Sequence, residues 1–142
     1  MAKRVGVALV SGVAVLLAGW ALWVRSGDAG PDLALSKTSD AGLYQVAIAP
    51  ASQPFHREVF HDWNVTLRTK AGQPVEGARL TLGGGMPGHG HGLPTQPQQK
   101  GDGVGGVYEI DGFKFSMAGH WVIDIVIDAP AGADHVAFDL QL

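Results

Sequence analysis

The chain has 142 residues, of which 46% are hydrophobic and 16% charged, and a formal net charge of −3. That length holds one domain plus terminal additions. The acidic balance argues against nucleic acid as a partner, since phosphate backbones are repelled, and the absence of cysteine excludes disulfides, thiolate metal sites and a lipid-anchored cysteine.

Met1-Ala2-Lys3-Arg4 is a short basic start, and residues 5–24 follow without charge as far as Arg25. A run of about 20 apolar residues can cross a bilayer as a helix, and Trp20 and Trp23 stand near its outer end, where amphipathic rings favour the interface. A cleaved signal peptide is the competing reading, but its apolar region is usually about 7–15 residues, and Gly27-Asp28-Ala29 is only a passable cleavage site. Residues 1–25 are therefore expected to be an N-terminal transmembrane anchor or an uncleaved signal. Lys3 and Arg4 set against Arg25 favour a cytoplasmic N-terminus. The expected location is the inner (cytoplasmic) membrane, single-pass, with the remainder in the periplasm or outside. From Asp28 onward seven Lys/Arg face thirteen Asp/Glu, so that outer part is acidic.

Residues 26–42, rich in Gly, Asp, Ser and Pro, read as a linker. The domain is expected over 43–142. A first strand at 43–49 puts Tyr44, Val46 and Ile48 on one face. Residues 60–69 alternate Trp63, Val65 and Leu67 against Asp62, Asn64, Thr66 and Arg68, the pattern of a half-buried strand. After the turn 70–74, a strand at 75–82 directs Ala78, Leu80 and Leu82 inward. The glycine-rich stretch 83–94 is expected to be a loop, because ordering each glycine costs conformational entropy. A further strand starts at Val107 with Tyr108 and Ile110 inward, and the phase changes at Asp111-Gly112, a tight turn or bulge, so that Phe113 and Phe115 share a face. Trp121, Ile123, Ile125 and Ile127 alternate in the next strand, and Val136, Phe138 and Leu140 in the last. These short strands, with turn signals every 8–12 residues, predict an all-β fold: an immunoglobulin-like antiparallel β-sandwich of about seven strands, preceded by one N-terminal transmembrane helix.

The chemistry concentrates in Met86-Pro87-Gly88-His89-Gly90-His91-Gly92, which carries no charged residue. Two histidines at i and i+2 in extended backbone project to one side, and Pro87 restrains Met86 to extended backbone. Thioether plus imidazole suits Cu(I) better than Cu(II), while structural zinc sites prefer thiolates; no carboxylate in the loop invites Ca²⁺ or Mg²⁺. Counting strand reversals puts this loop, the break at 117–119 with Met117, and the loop holding His56 at one end, with His61 at the mouth of its strand and His135 at the other end. Met117 also shares the inward parity of Phe113 and Phe115, and a core gap-filler is its competing reading. His120 shares parity with Val122 and Asp124 and reads as a surface or outer residue; His56, His61 and His135 read as solvated or hydrogen-bonded.

Gln73-Pro74-Val75-Glu76-Gly77-Ala78, the Met86 to Gly92 loop, and Gly106-Val107-Tyr108 with Phe113-Lys114-Phe115-Ser116-Met117-Ala118-Gly119-His120-Trp121 together resemble the YtkA-like and FixH-like family of membrane-anchored extracytoplasmic domains. The resemblance covers about 59–127 plus the anchor. It implies an immunoglobulin-like fold and a link to copper handling or to assembly of respiratory copper enzymes. Carried across residue by residue, it makes Met86, His89, His91 and Met117 the metal ligands. The match to FixH is looser than that to YtkA-like domains.

The expectation is a protein that holds or transfers copper without catalysing a reaction. Its partners would be a copper ion, the membrane through the N-terminal helix, and a cuproenzyme or copper chaperone. The rival is a non-metal assembly or interaction subunit of a membrane enzyme complex.

Overall fold

The computed structural model describes residues 30–53 and 56–142. The expected N-terminal helix and the competing cleavage site after it lie outside the described residues. Among the described residues, no helix is long and apolar enough to cross a membrane.

Strand alternation dictates the architecture. β1 (Ser36–Thr38), β2 (Tyr44–Pro50), β3 (Phe60–Thr69), β4 (Arg79–Met86), β5 (His91–Gly92), β6 (Gln98–Lys100), β7 (Val107–Lys114), β8 (His120–Ala129) and β9 (Gly132–Gln141) form two antiparallel sheets. One has the order β1-β2-β3-β7-β6 and the other β5-β4-β8-β9. Tyr44, Val46, Ile48, Trp63, Val65, Leu67, Tyr108 and Ile110 from the first sheet, and Leu80, Trp121, Ile123, Ile125, Ile127, Val136 and Phe138 from the second, share one buried cluster. The molecule is thus a β-sandwich, its inner faces set by the predicted period of two.

Three findings adjust the expected elements. Among the described residues nine strands stand where about seven were expected, because β1, β5 and β6 span only two or three residues and such short pieces carry no readable alternation. Ser36–Thr38, within the stretch expected as linker, is an edge strand on β2. The third concerns the glycine stretch, which is not a loop throughout. Gly83, Gly84 and Gly85 continue β4 and pair with Asp124, Ile123 and Val122 of β8. Pro87–His89 is a 3₁₀ turn, and β5 returns to pair Met86 with His91 and Gly85 with Gly92.

Close approach explains these glycines better than entropy does. A Cβ on Gly84 would stand 2.1 Å from Val122 O, and one on Gly85 would stand 2.2 Å from His91 O, so only glycine lets the backbones meet there.

At Asp111-Gly112 the chain bulges rather than turns. β3 steps two residues, from His61 to Trp63, while β7 steps three, from Phe113 to Ile110. Gly112 has φ 87°. The extra residue restores Phe113 and Phe115 to the core side.

Candidate metal centre

Strand direction gathers the candidate ligands. β2 finishes at Pro50, opposite Trp63 near the start of β3, and His61 pairs with Phe113 at the finish of β7. The five residues 115–119 then join β7 to β8, whose Val122 faces Gly85 of β4. The connections 51–59, 87–90 and 115–119 therefore emerge at one end of the sandwich. His135 pairs with Val126, towards the β8–β9 turn at the other end. Both placements match the strand count made from sequence.

Within that end the four expected ligands divide. His89 closes the 3₁₀ turn and His91 opens β5; both are exposed, with ring centroids 6.1 Å apart and planes 24° from parallel. A metal–nitrogen bond of about 2 Å on each ring would hold two imidazole centroids within roughly 6 Å, so the pair stands near the spacing that one shared ion requires. Met117 is 38% exposed, and its main-chain carbonyl accepts the Trp121 indole N–H at 3.1 Å, which fixes the backbone while the thioether is accessible to solvent.

Met86 differs. It is 1% exposed, lies opposite His91 in the hairpin, and its methyl carbon would be 3.0 Å from a Cβ on Gly119. Its side chain is a core element beneath the histidine turn, touching the loop that carries Met117. The structure thus brings Met86 and the 117–119 loop together and stacks the two imidazoles above.

Asp124 is a carboxylate that sequence reasoning placed outward without associating it with this turn. It stands opposite Gly83 and, with Gly85, Met86, Pro87, His91 and Val122, lines an open depression of about 330 Å³. Gly85 of β4, with Gly90 and Gly92, lines it without side chains. Only the β4–β8 register, which sequence alone does not provide, reveals the association. Asp124 already accepts a hydrogen bond from His135 Nε2 at 3.3 Å, while His135 Nδ1 reaches Asp40 at 2.8 Å. The Asp40 hydrogen bond, chiefly, holds the His135 pKa above its ordinary value, against the opposing effect of burial and with Asp124 assisting.

The remaining histidines have other duties. His61 is buried on the inward face, and its Nε2 meets the main-chain oxygen of His56. His120 Nε2 lies 2.6 Å from Asp139 Oδ1, and Lys37 lies 3.6 Å from the other oxygen of the same carboxylate. Among the described residues, no three His, Cys, Asp or Glu side chains converge on one point. Any ion here would rest on the imidazole pair and thioethers.

Fold and site together define a two-sheet antiparallel sandwich carrying a Met/His hairpin at one end. The profile of the YtkA-like family matches residues 38–126, and the chain belongs to that family. A crystal structure of a DUF4426 family protein from Pseudomonas aeruginosa PAO1 is similar in fold. It superposes with a TM-score of 0.53 at 22% identity, over 71% of this chain and 91% of that one. No curated protein matches the chain.

Proposed function

We propose that this protein is a membrane-tethered extracytoplasmic copper carrier, not an enzyme, that holds copper at His89 and His91 and passes it to a partner cuproenzyme or chaperone. The observation that carries the reading is the stacked imidazole pair on a short hairpin. An accessible thioether, Met117, stands at the same end, and a buried one, Met86, lies beneath. Imidazole and thioether form a soft-to-borderline donor set that favours Cu(I). The apolar run 5–24 and YtkA-like membership support the tether and the extracytoplasmic location. Met86 would join the set only through a rotation of its side chain out of the core, whereas Met117 is already open to solvent.

Anaerobic titration with Cu(I) against a competing chelator tests the reading. The wild type is expected to hold copper and a Met86→Leu/His89→Ala/His91→Ala variant to lose it. Equal retention by both defeats the proposal.

The burial of Met86 favours a second reading, an assembly subunit that binds no metal and contacts a membrane enzyme through a sheet face. Under that reading the triple variant retains full assembly activity, while charge reversal on the exposed sheet faces abolishes it.

A further inference from the structure

The direction in which the described chain enters the sandwich has a bearing on what that end meets. β1 is antiparallel to β2, with Ser36 opposite Ala47 and Thr38 opposite Gln45. Leu35 O accepts the Ile48 N–H at 2.9 Å. Since β2 finishes at Pro50, residues 31–35 arrive from the Pro50 end, which is the end that carries His89, His91 and Met117.

The same end exposes apolar side chains. Phe60 is 69% exposed, with Val59, Met117 and Leu33 also open to solvent. The Glu58 N–H donates to Phe115 O at 3.0 Å and Phe60 stands opposite Lys114, so Val59 and Phe60 run alongside 114–115, and Met117 follows two residues further along the connection at the same end. Grouped apolar side chains on a surface mark a contact with a protein or a membrane. Chain length favours the membrane. Residues 25–32, eight in number, separate the apolar run 5–24 from Leu33 and reach at most about 30 Å fully extended. A spacer of that length sets an upper limit on how far Leu33 can stand from a bilayer that holds the run.

We propose that the end of the sandwich formed by Leu33, Val59, Phe60 and Met117 rests on the surface of the lipid bilayer. This inference depends on the membrane tether of the preceding reading and not on copper. Phenylalanine, leucine and methionine side chains at the rim enter the headgroup boundary, as the apolar side chains of interfacial segments do. The histidine pair is then presented at the membrane surface, where a membrane-embedded acceptor can meet it.

The chain lacks cysteine, so single labels are unambiguous. Val59→Cys leaves Phe60 in place, and Val104→Cys provides a comparison, since Val104 is 86% exposed in the 3₁₀ turn that precedes β7, at the other end. Each full-length variant is labelled with an environment-sensitive fluorophore and reconstituted into phosphatidylcholine vesicles containing doxyl-labelled lipid. The label at residue 59 is expected to be quenched several times more strongly than that at 104, and a further Phe60→Asp change to erase the difference. Equal quenching at both positions, or stronger quenching at 104, overturns the proposal. So does a residue-59 label that stays unquenched by the lipid but shifts its emission when a membrane protein is added, which would show a protein as the occupant. Failure of the chain to float with the vesicles overturns the tether itself, a distinct result from an unquenched label on vesicle-bound protein. Loss of Cu(I) binding with quenching intact would defeat the copper reading alone.

Discussion

The methyl carbon of Met86 fills the space where Gly119 has no side chain: a Cβ there would be 3.0 Å away. That contact joins the strand leading into the histidine turn to the loop that holds Met117. Gly119 has φ 128°, and its N–H and C=O both bond to Leu142, at 2.8 and 3.0 Å. Gly119→Ala is expected to lower stability by about 1–2 kcal/mol, from the strained backbone and the displaced thioether. Chemical denaturation measures the loss, and an unchanged midpoint would show that Met86 repacks freely.

Removing the Met86 thioether and emptying its site in the core are separable. Met86→Ala is expected to destabilise by about 2–5 kcal/mol, the usual range for truncating a buried methionine. Met86→Leu nearly conserves volume and should cost less than about 1.5 kcal/mol. Thermal unfolding of the two variants checks the contrast, which is why leucine is the substitution suited to copper titrations. Equal losses would place Met86 outside the core.

The glycines of the hairpin divide into two groups. Gly84→Ala would place a methyl 2.1 Å from Val122 O at a residue with φ 137°, and is expected to cost about 3 kcal/mol or more. Gly83 and Gly88 meet nothing within 4 Å of an added Cβ, so Gly83→Ala and Gly88→Ala should remain close to wild type. Soluble expression and unfolding midpoints of the three variants report this directly.

Acid stability should turn on Asp134. Burial alone would raise its pKa, but hydrogen bonds from the Ser39 side chain and from the N–H groups of Ala41, His135 and Leu43 outweigh burial and hold it at about 2, against an ordinary 3.8. A depressed folded pKa means stability that is fully present above the unfolded value and lost as pH falls from about 4 towards 2. The amount is about 2 kcal/mol. Asp134→Asn is expected to reduce stability at neutral pH by a similar amount and to flatten the acid limb in a pH series of denaturation curves.

His135 acts in the opposite sense. Its folded pKa is raised by Asp40 first, so its contribution is complete below the ordinary value near 6.5 and fades as pH rises through the elevated one. His135→Gln should therefore narrow the difference in unfolding midpoint between mildly acidic and mildly alkaline buffer, and an unaltered difference would remove this pair from the pH response.

Much of this fold was legible in the residues. Strands whose inner and outer positions differ in polarity, such as 60–69 with Trp63, Val65 and Leu67, declare both their period and their buried face. The phase change at Asp111-Gly112 was legible because Phe113 and Phe115 fall out of step with Tyr108 and Ile110, but whether a turn or a bulge caused it took the β3–β7 register. The shared end of Met86, His89, His91 and Met117 followed from strand reversal. Burial of Met86 did not, since a methionine beside histidines reads as a ligand as readily as a core residue. The part of β4 at Gly83–Gly85 was hidden for a similar reason: glycine carries no polarity to alternate, and its role depends on Val122 and His91, whose proximity only the register supplies. Asp124 escaped association with the turn on the same account.

His91 is held by strand pairing to Met86 and His89 by a turn of 3₁₀ helix, so swinging the imidazoles away would break main-chain hydrogen bonds. For the copper reading this favours associative exchange: an incoming donor binds the ion before a histidine departs. The rate of release would then rise with the concentration of the acceptor and would not be limited by an opening motion of the carrier.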